Sequence, residues 1–104
     1  METIWIMHYI NYDDGGYSGI EAICKTKEEA FEMFRQKIYF AQYQEDLPNG
    51  EVTRNEFDKT VNDAWTKQVY DDQTWTTYTV REYKLSDYKL DLDPEYTEAM
   101  GKID

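Results

Sequence analysis

Residues 3–25, TIWIMHYINYDDGGYSGIEAICK, decide the fold. β-branched and aromatic residues crowd 3–12, as strands prefer. Ile4, Ile6, His8 and Ile10 fall on one face, and Trp5, Met7 and Tyr9 on the other. Both faces are largely apolar, which predicts a central strand with something packed on each side. Asp13-Asp14-Gly15-Gly16 is a turn signal, because glycine supplies the positive φ that hairpins need. Residues 17–25 read as the returning strand, with Ile20, Ala22 and Cys24 on one side.

Working outward, Thr26-Lys27-Glu28-Glu29 has the form of a capping box and predicts a helix. Phe31, Phe34, Ile38 and Ala41 recur at spacings of three and four, and Ala30 and Met33 widen the stripe. Tyr39, Phe40 and Tyr43 add an aromatic end, read as contact with a second helix. Leu47-Pro48-Asn49-Gly50 breaks the helix. A second box, Thr53-Arg54-Asn55-Glu56, opens another, with Phe57, Val61, Ala64, Trp65 and Val69 at helical spacing and Asp71-Asp72-Gln73 at its end. Residues 74–85, TWTTYTVREYKL, give a third strand in which Trp75 does not share a face with Tyr78 and Val80.

The order β-β-α-α-β predicts an α+β fold: an antiparallel-rich three-stranded sheet with two helices, as one domain over 1–85. Residues 86–104 form an acidic tail carrying Tyr88, Leu90, Leu92, Tyr96, Met100 and Ile103. Asp93-Pro94-Glu95 and Gly101 bracket a short helix at 94–100.

Composition bounds the function. The chain has 22 Asp and Glu against 11 Lys and Arg, a net charge of −11 over 104 residues, yet 16% of it is aromatic. That aromatic content separates it from a disordered acidic segment. At physiological salt the screening length is about 8 Å, so charges this dense sum into a field. The field repels nucleic acid and anionic lipid and attracts basic proteins; the basic footprint of phosphate neutralisation is missing. Cys24 is the single cysteine, so no internal disulfide is expected, in keeping with a reducing cytoplasm. METIWIMHYI lacks the basic region of a signal peptide, and no apolar run approaches the ~20 residues of a membrane span.

No catalytic signature emerges. His8, the single histidine, lies mid-strand among apolar neighbours and reads as structural. One His and one Cys do not make a transition-metal site. Asp87, Asp91, Asp93 and Glu95 lack the spacing of a calcium loop. Gly15-Gly16 lacks the Lys and Ser or Thr of a phosphate loop. The expectation is a protein that is not an enzyme and needs no cofactor or metal. Its candidate partner-binding residues are Asp13, Asp14, Glu45, Asp46, Asp71 and Asp72, in three acidic segments, with Tyr17 and Tyr43 as aromatic anchors.

The hairpin IWIMHYINYDDGGYSGIEAIC, the capped helix TKEEAFEMF after it and the strand YTVREYKL together cover about half the chain. In this arrangement the chain resembles small acidic proteins of phages and mobile elements. Some of those are anti-defence inhibitors, including anti-CRISPR proteins and nucleic-acid mimics, which bind the basic channels of host nucleases. The resemblance implies a non-enzymatic inhibitor, acting in the cytoplasm, whose partner is a basic nucleic-acid-binding effector such as a nuclease. The same physics admits an immunity protein or antitoxin against a basic nuclease toxin. A third reading is a small accessory domain whose charge only solubilises.

Overall fold

A computed structural model describes residues 2–12, 16–72, 75–87 and 89–103, Tyr17 by its backbone alone. Strands β1 (Thr3–Asn11) and β2 (Tyr17–Cys24) are followed by helix α1 (Lys27–Ile38), which runs on into a π-helical turn, Tyr39–Tyr43. Helix α2 (Arg54–Lys67), the short strand β3 (Val69–Asp71) and strand β4 (Thr76–Lys84) follow. A 3₁₀ turn, Leu85–Asp87, leads to helix α3 (Pro94–Gly101). The strands form one antiparallel sheet in the order β2-β1-β4-β3.

The class is α+β as the pattern implies, but the described residues hold four strands and three α-helices rather than three and two. The extra strand comes from the end of α2. Gln68 adopts the left-handed conformation, φ 60°, and its N–H closes back on the Ala64 and Trp65 carbonyls. This stops the helix at Lys67, two residues short of Val69, the last residue of the apolar spacing. Val69, expected on the helix, instead pairs with Thr79, and Tyr70 with Tyr78.

Both α1 and α2 start where threonine hydroxyls cap them. Thr26 Oγ1 accepts the Glu29 N–H and Thr53 Oγ1 the Glu56 N–H, each at 3.1 Å. The Glu29 carboxylate returns to the Lys25 N–H at 3.0 Å rather than to Thr26. Ala30, Phe34 and Ile38 of α1 and Phe57, Val61 and Ala64 of α2 are buried, against Trp5, Met7, Cys24, Tyr70 and Val80 of the sheet. Trp5 stacks on Trp65 with centroids 5.6 Å apart, while Phe31 and Phe34 meet the Trp65 ring edge-on. Gly19 lies against the Tyr9 ring, where a Cβ would come within 3.0 Å of the phenol oxygen.

β1 is central in the sheet, but only one of its faces is covered. Both helices pack on the side of Trp5 and Met7. By register, the other side carries Ile4, Ile6, His8 and Ile10 of β1, Ile20 and Ile23 of β2, and Arg81 and Tyr83 of β4. No second layer covers that side among the described residues. The apolar residues on both faces were therefore a true feature of the strand but a misleading sign of a three-layer fold.

Candidate functional site

The segment after α1, the end of β3 and the described flanks of the β1–β2 connection converge at one end of the molecule. β1 ends at Asn11, which pairs with Thr76 at the start of β4 and Tyr17 at the start of β2. The Tyr12 N–H donates to the Trp75 carbonyl at 2.7 Å. The flanks of the β1–β2 connection and of the β3–β4 connection therefore stand side by side. α1 runs toward the same end, and its π-helical turn reaches β3 there. Gln42 Nε2 donates to the Asp72 carbonyl at 3.4 Å, and the Tyr70 hydroxyl donates to Gln42 Oε1. This joins the segment holding Glu45 and Asp46 to the segment holding Asp71 and Asp72. The described residues of 12–16, 44–53 and 71–75 hold five carboxylates, Glu45, Asp46, Glu51, Asp71 and Asp72, and no basic residue.

The candidate residues differ in their surroundings. Asp13 and Asp14 lie outside the described residues, and Tyr17 is described only in its backbone pairing with Asn11. Glu45 is exposed and Asp46 half-buried; with Phe40, Gln42 and Gln44 they line a shallow depression of about 150 Å³. Asp72 shapes its own turn: Oδ1 accepts the Trp75 N–H at 3.1 Å and the Thr76 N–H at 3.0 Å. Asp71 is exposed at the end of β3. Tyr43 is half-buried, hydrogen-bonded to Thr60 Oγ1 at 2.9 Å and packed edge-on to Phe57 at 5.2 Å. Tyr39 meets the same Phe57 ring at 6.3 Å, so Tyr39 and Tyr43 face the second helix as the sequence suggests, whereas Phe40, expected there with them, is exposed.

Three aromatic side chains at this end were not among the candidates. Tyr12 is 62% exposed, Trp75 58% and Phe40 55%. Tyr12 and Trp75 each stand one residue beyond a strand end, where alternation assigns no face. The one hint was the failure of Trp75 to share a face with Tyr78 and Val80.

Elsewhere several titratable groups are engaged structurally. Arg35 contacts Asp58 at 3.1 Å and Glu32 at 3.9 Å, and lies over the Phe57 ring at 5.3 Å. Arg54 reaches the same Asp58 oxygen at 3.4 Å, and Lys37 pairs with Glu21. Arg35, Arg54 and Glu32 line an open groove of about 700 Å³ along α1 with Ile23, Met33 and Leu47. Cys24 faces the helices while His8 lies on the opposite sheet face, so the two do not form a nucleophile–base pair. Burial, followed by the nearby Glu29 charge, pushes the Cys24 thiol above its ordinary range. Burial is also the main cause that raises Tyr70, with Tyr43, Asp72 and Asp71 adding to it. It raises Tyr78 as well. Among the described residues, no three His, Cys, Asp or Glu side chains are grouped to hold a metal, and no helix is long and apolar enough to cross a membrane. No family model, curated protein or solved structure matches the chain.

Proposed function

We propose that this protein is a non-enzymatic binding module whose acidic end occupies the nucleic-acid groove of a basic protein, such as a nuclease, and so inhibits it. The single observation that carries this reading is the convergence of acidic and aromatic residues at one end. Among the described residues, Glu45, Asp46, Glu51, Asp71 and Asp72 gather there, beside exposed Tyr12, Trp75 and Phe40. Carboxylates in such density stand in for phosphates and steer a basic partner onto the surface. Large flat side chains among them supply the desolvated contacts that hold it. Solubility alone asks for dispersed charge and gives no reason to gather exposed aromatic rings with it.

The test uses immobilised full-length chain and a bacterial lysate cleared of nucleic acid. Proteins retained in moderate salt should be nucleic-acid-binding proteins, and Trp75→Ala should release them. Retention of none, or of proteins indifferent to Trp75→Ala, would overturn the reading.

A further inference from the structure

We propose that the open sheet face is the docking site for the C-terminal tail of a second copy of this chain, so that two copies exchange tails in a symmetric dimer. The inference goes beyond the function proposed above, because it uses a different surface.

Two apolar surfaces that no element covers among the described residues carry it. The first is the sheet face. Two adjoining depressions, about 420 and 330 Å³, share His8 and Tyr83 and are walled by Ile4, Ile6, Ile10 and Ile20. The second is α3. Tyr96, Met100 and Ile103 recur at helical spacing on one side of it, Leu90 and Leu92 precede it, and every described residue from 89 to 103 is exposed. A two-turn helix in water has no stability of its own without an apolar surface to lie on. This one is well capped nonetheless: Asp93 Oδ1 accepts the Glu95 N–H at 2.8 Å, Pro94 occupies its first turn, and Glu98 pairs with Lys102 at 3.2 Å.

Shape decides which copy supplies the tail. The radius of gyration is 19.2 Å and the longest axis 68 Å, whereas a compact chain of about 100 residues has a radius near 13 Å. The tail is thus held away from its own sheet and presented to another. Charge agrees with the pairing. Arg81, on the open face opposite Ile6, makes no ion pair among the described residues, and Glu95 borders the apolar stripe of α3. The dimensions also match. A face four strands wide is roughly 15–20 Å across, enough for one helix about 10 Å in diameter.

The experiment is sedimentation equilibrium with small-angle scattering on the full chain at about 100 μM, in low salt and in roughly 0.5 M salt. A dimer is expected in both, because apolar burial does not fade with screening. The double variant Y96E/M100E, altered only on the exposed tail, should be monomeric with a thermal melt that stays cooperative though lower, since association stabilises the folded chain, and I6E on the sheet face should be monomeric as well. A monomeric full chain overturns the proposal; if its radius is near 13 Å, the tail has folded onto its own sheet instead. A dimer that survives Y96E/M100E overturns it too, since another surface then holds the copies together. Capture of a basic protein by Y96E/M100E reports separately on the acidic end, so the two readings fail independently.

Discussion

Replacing Trp5 by alanine tests the packing that holds the acidic end in place. The indole is 8% exposed, lies on the covered face of the central strand, and stacks on Trp65 at 5.6 Å with 24° between the ring planes. Truncating a buried Trp costs about 3–5 kcal/mol through lost transfer energy and the cavity left behind. The stacked pair adds about 0.5–1.5 kcal/mol of direct coupling. A chain of this length has roughly 5–15 kcal/mol in total, so Trp5→Ala removes a large share of the stability. With a urea slope near 1.5 kcal/mol per molar, the midpoint should fall by roughly 2–3 M. Fluorescence of the remaining Trp65 and Trp75 and far-ultraviolet circular dichroism should report the same transition. In a double-mutant cycle with Trp65→Ala, the two losses should fall short of additivity by the stacking term. A midpoint shift under about 0.5 M, or strict additivity, would refute the stacked core.

Other outcomes follow from the same contacts. Deleting 87–104 should leave a cooperatively unfolding domain, because the described tail residues are all exposed; a broad, non-cooperative melt would show that the tail completes the core. Thr26→Ala and Thr53→Ala should each lower stability by about 1 kcal/mol in chemical denaturation, through loss of the caps on α1 and α2. Stability should fall in alkali. Cys24, Tyr70 and Tyr78 all have raised pKa values in the folded state, so the folded chain keeps protons that the unfolded chain has lost. Their contribution is whole below the ordinary thiol range and is lost as pH climbs through the thiol and then the phenol range. Tyr70→Phe should flatten the phenol part of that decline in urea midpoints measured from pH 8 to 11. Gln68→Gly should raise stability by about 0.5–1 kcal/mol, since glycine accepts φ 60° without the steric cost that glutamine bears.

How much of this was legible in the sequence depends on how local the signal was. The helix starts were plain, because Thr26 and Thr53 are caps whose partners lie three residues on. The pairing of β1 with β2 was plain from their β-branched and aromatic content, while the Asp13–Gly15 part of the turn lies outside the described residues; Ile20, expected beside Ala22 and Cys24, sits on the open face because the register shifts between Met7 and His8. β3 was hidden, because a glutamine, not a glycine, turns the chain at 68 and only three residues pair beyond it. The open sheet face was hidden for a different reason: alternation shows that a face is apolar, not whether anything covers it. The acidic segments were visible one by one, but their meeting depends on Gln42 reaching Asp72 and Tyr12 reaching Trp75, contacts between residues far apart in the chain. For that reason Tyr12, Trp75 and Phe40 were not named as anchors, Phe40 being read as a contact with the second helix, and Tyr43, proposed as an anchor, is half-buried and packed against Phe57.

The central claim is that the acidic end substitutes for nucleic acid, and competition tests it most directly. Proteins captured from nucleic-acid-free lysate by the immobilised chain should be eluted by added duplex DNA or RNA. They should bind more weakly as salt rises from low to moderate ionic strength. They should not be captured by Glu45→Lys/Glu51→Lys, a variant of two exposed carboxylates that should melt like the parent. Capture that ignores nucleic acid, salt and these two charges would contradict the account.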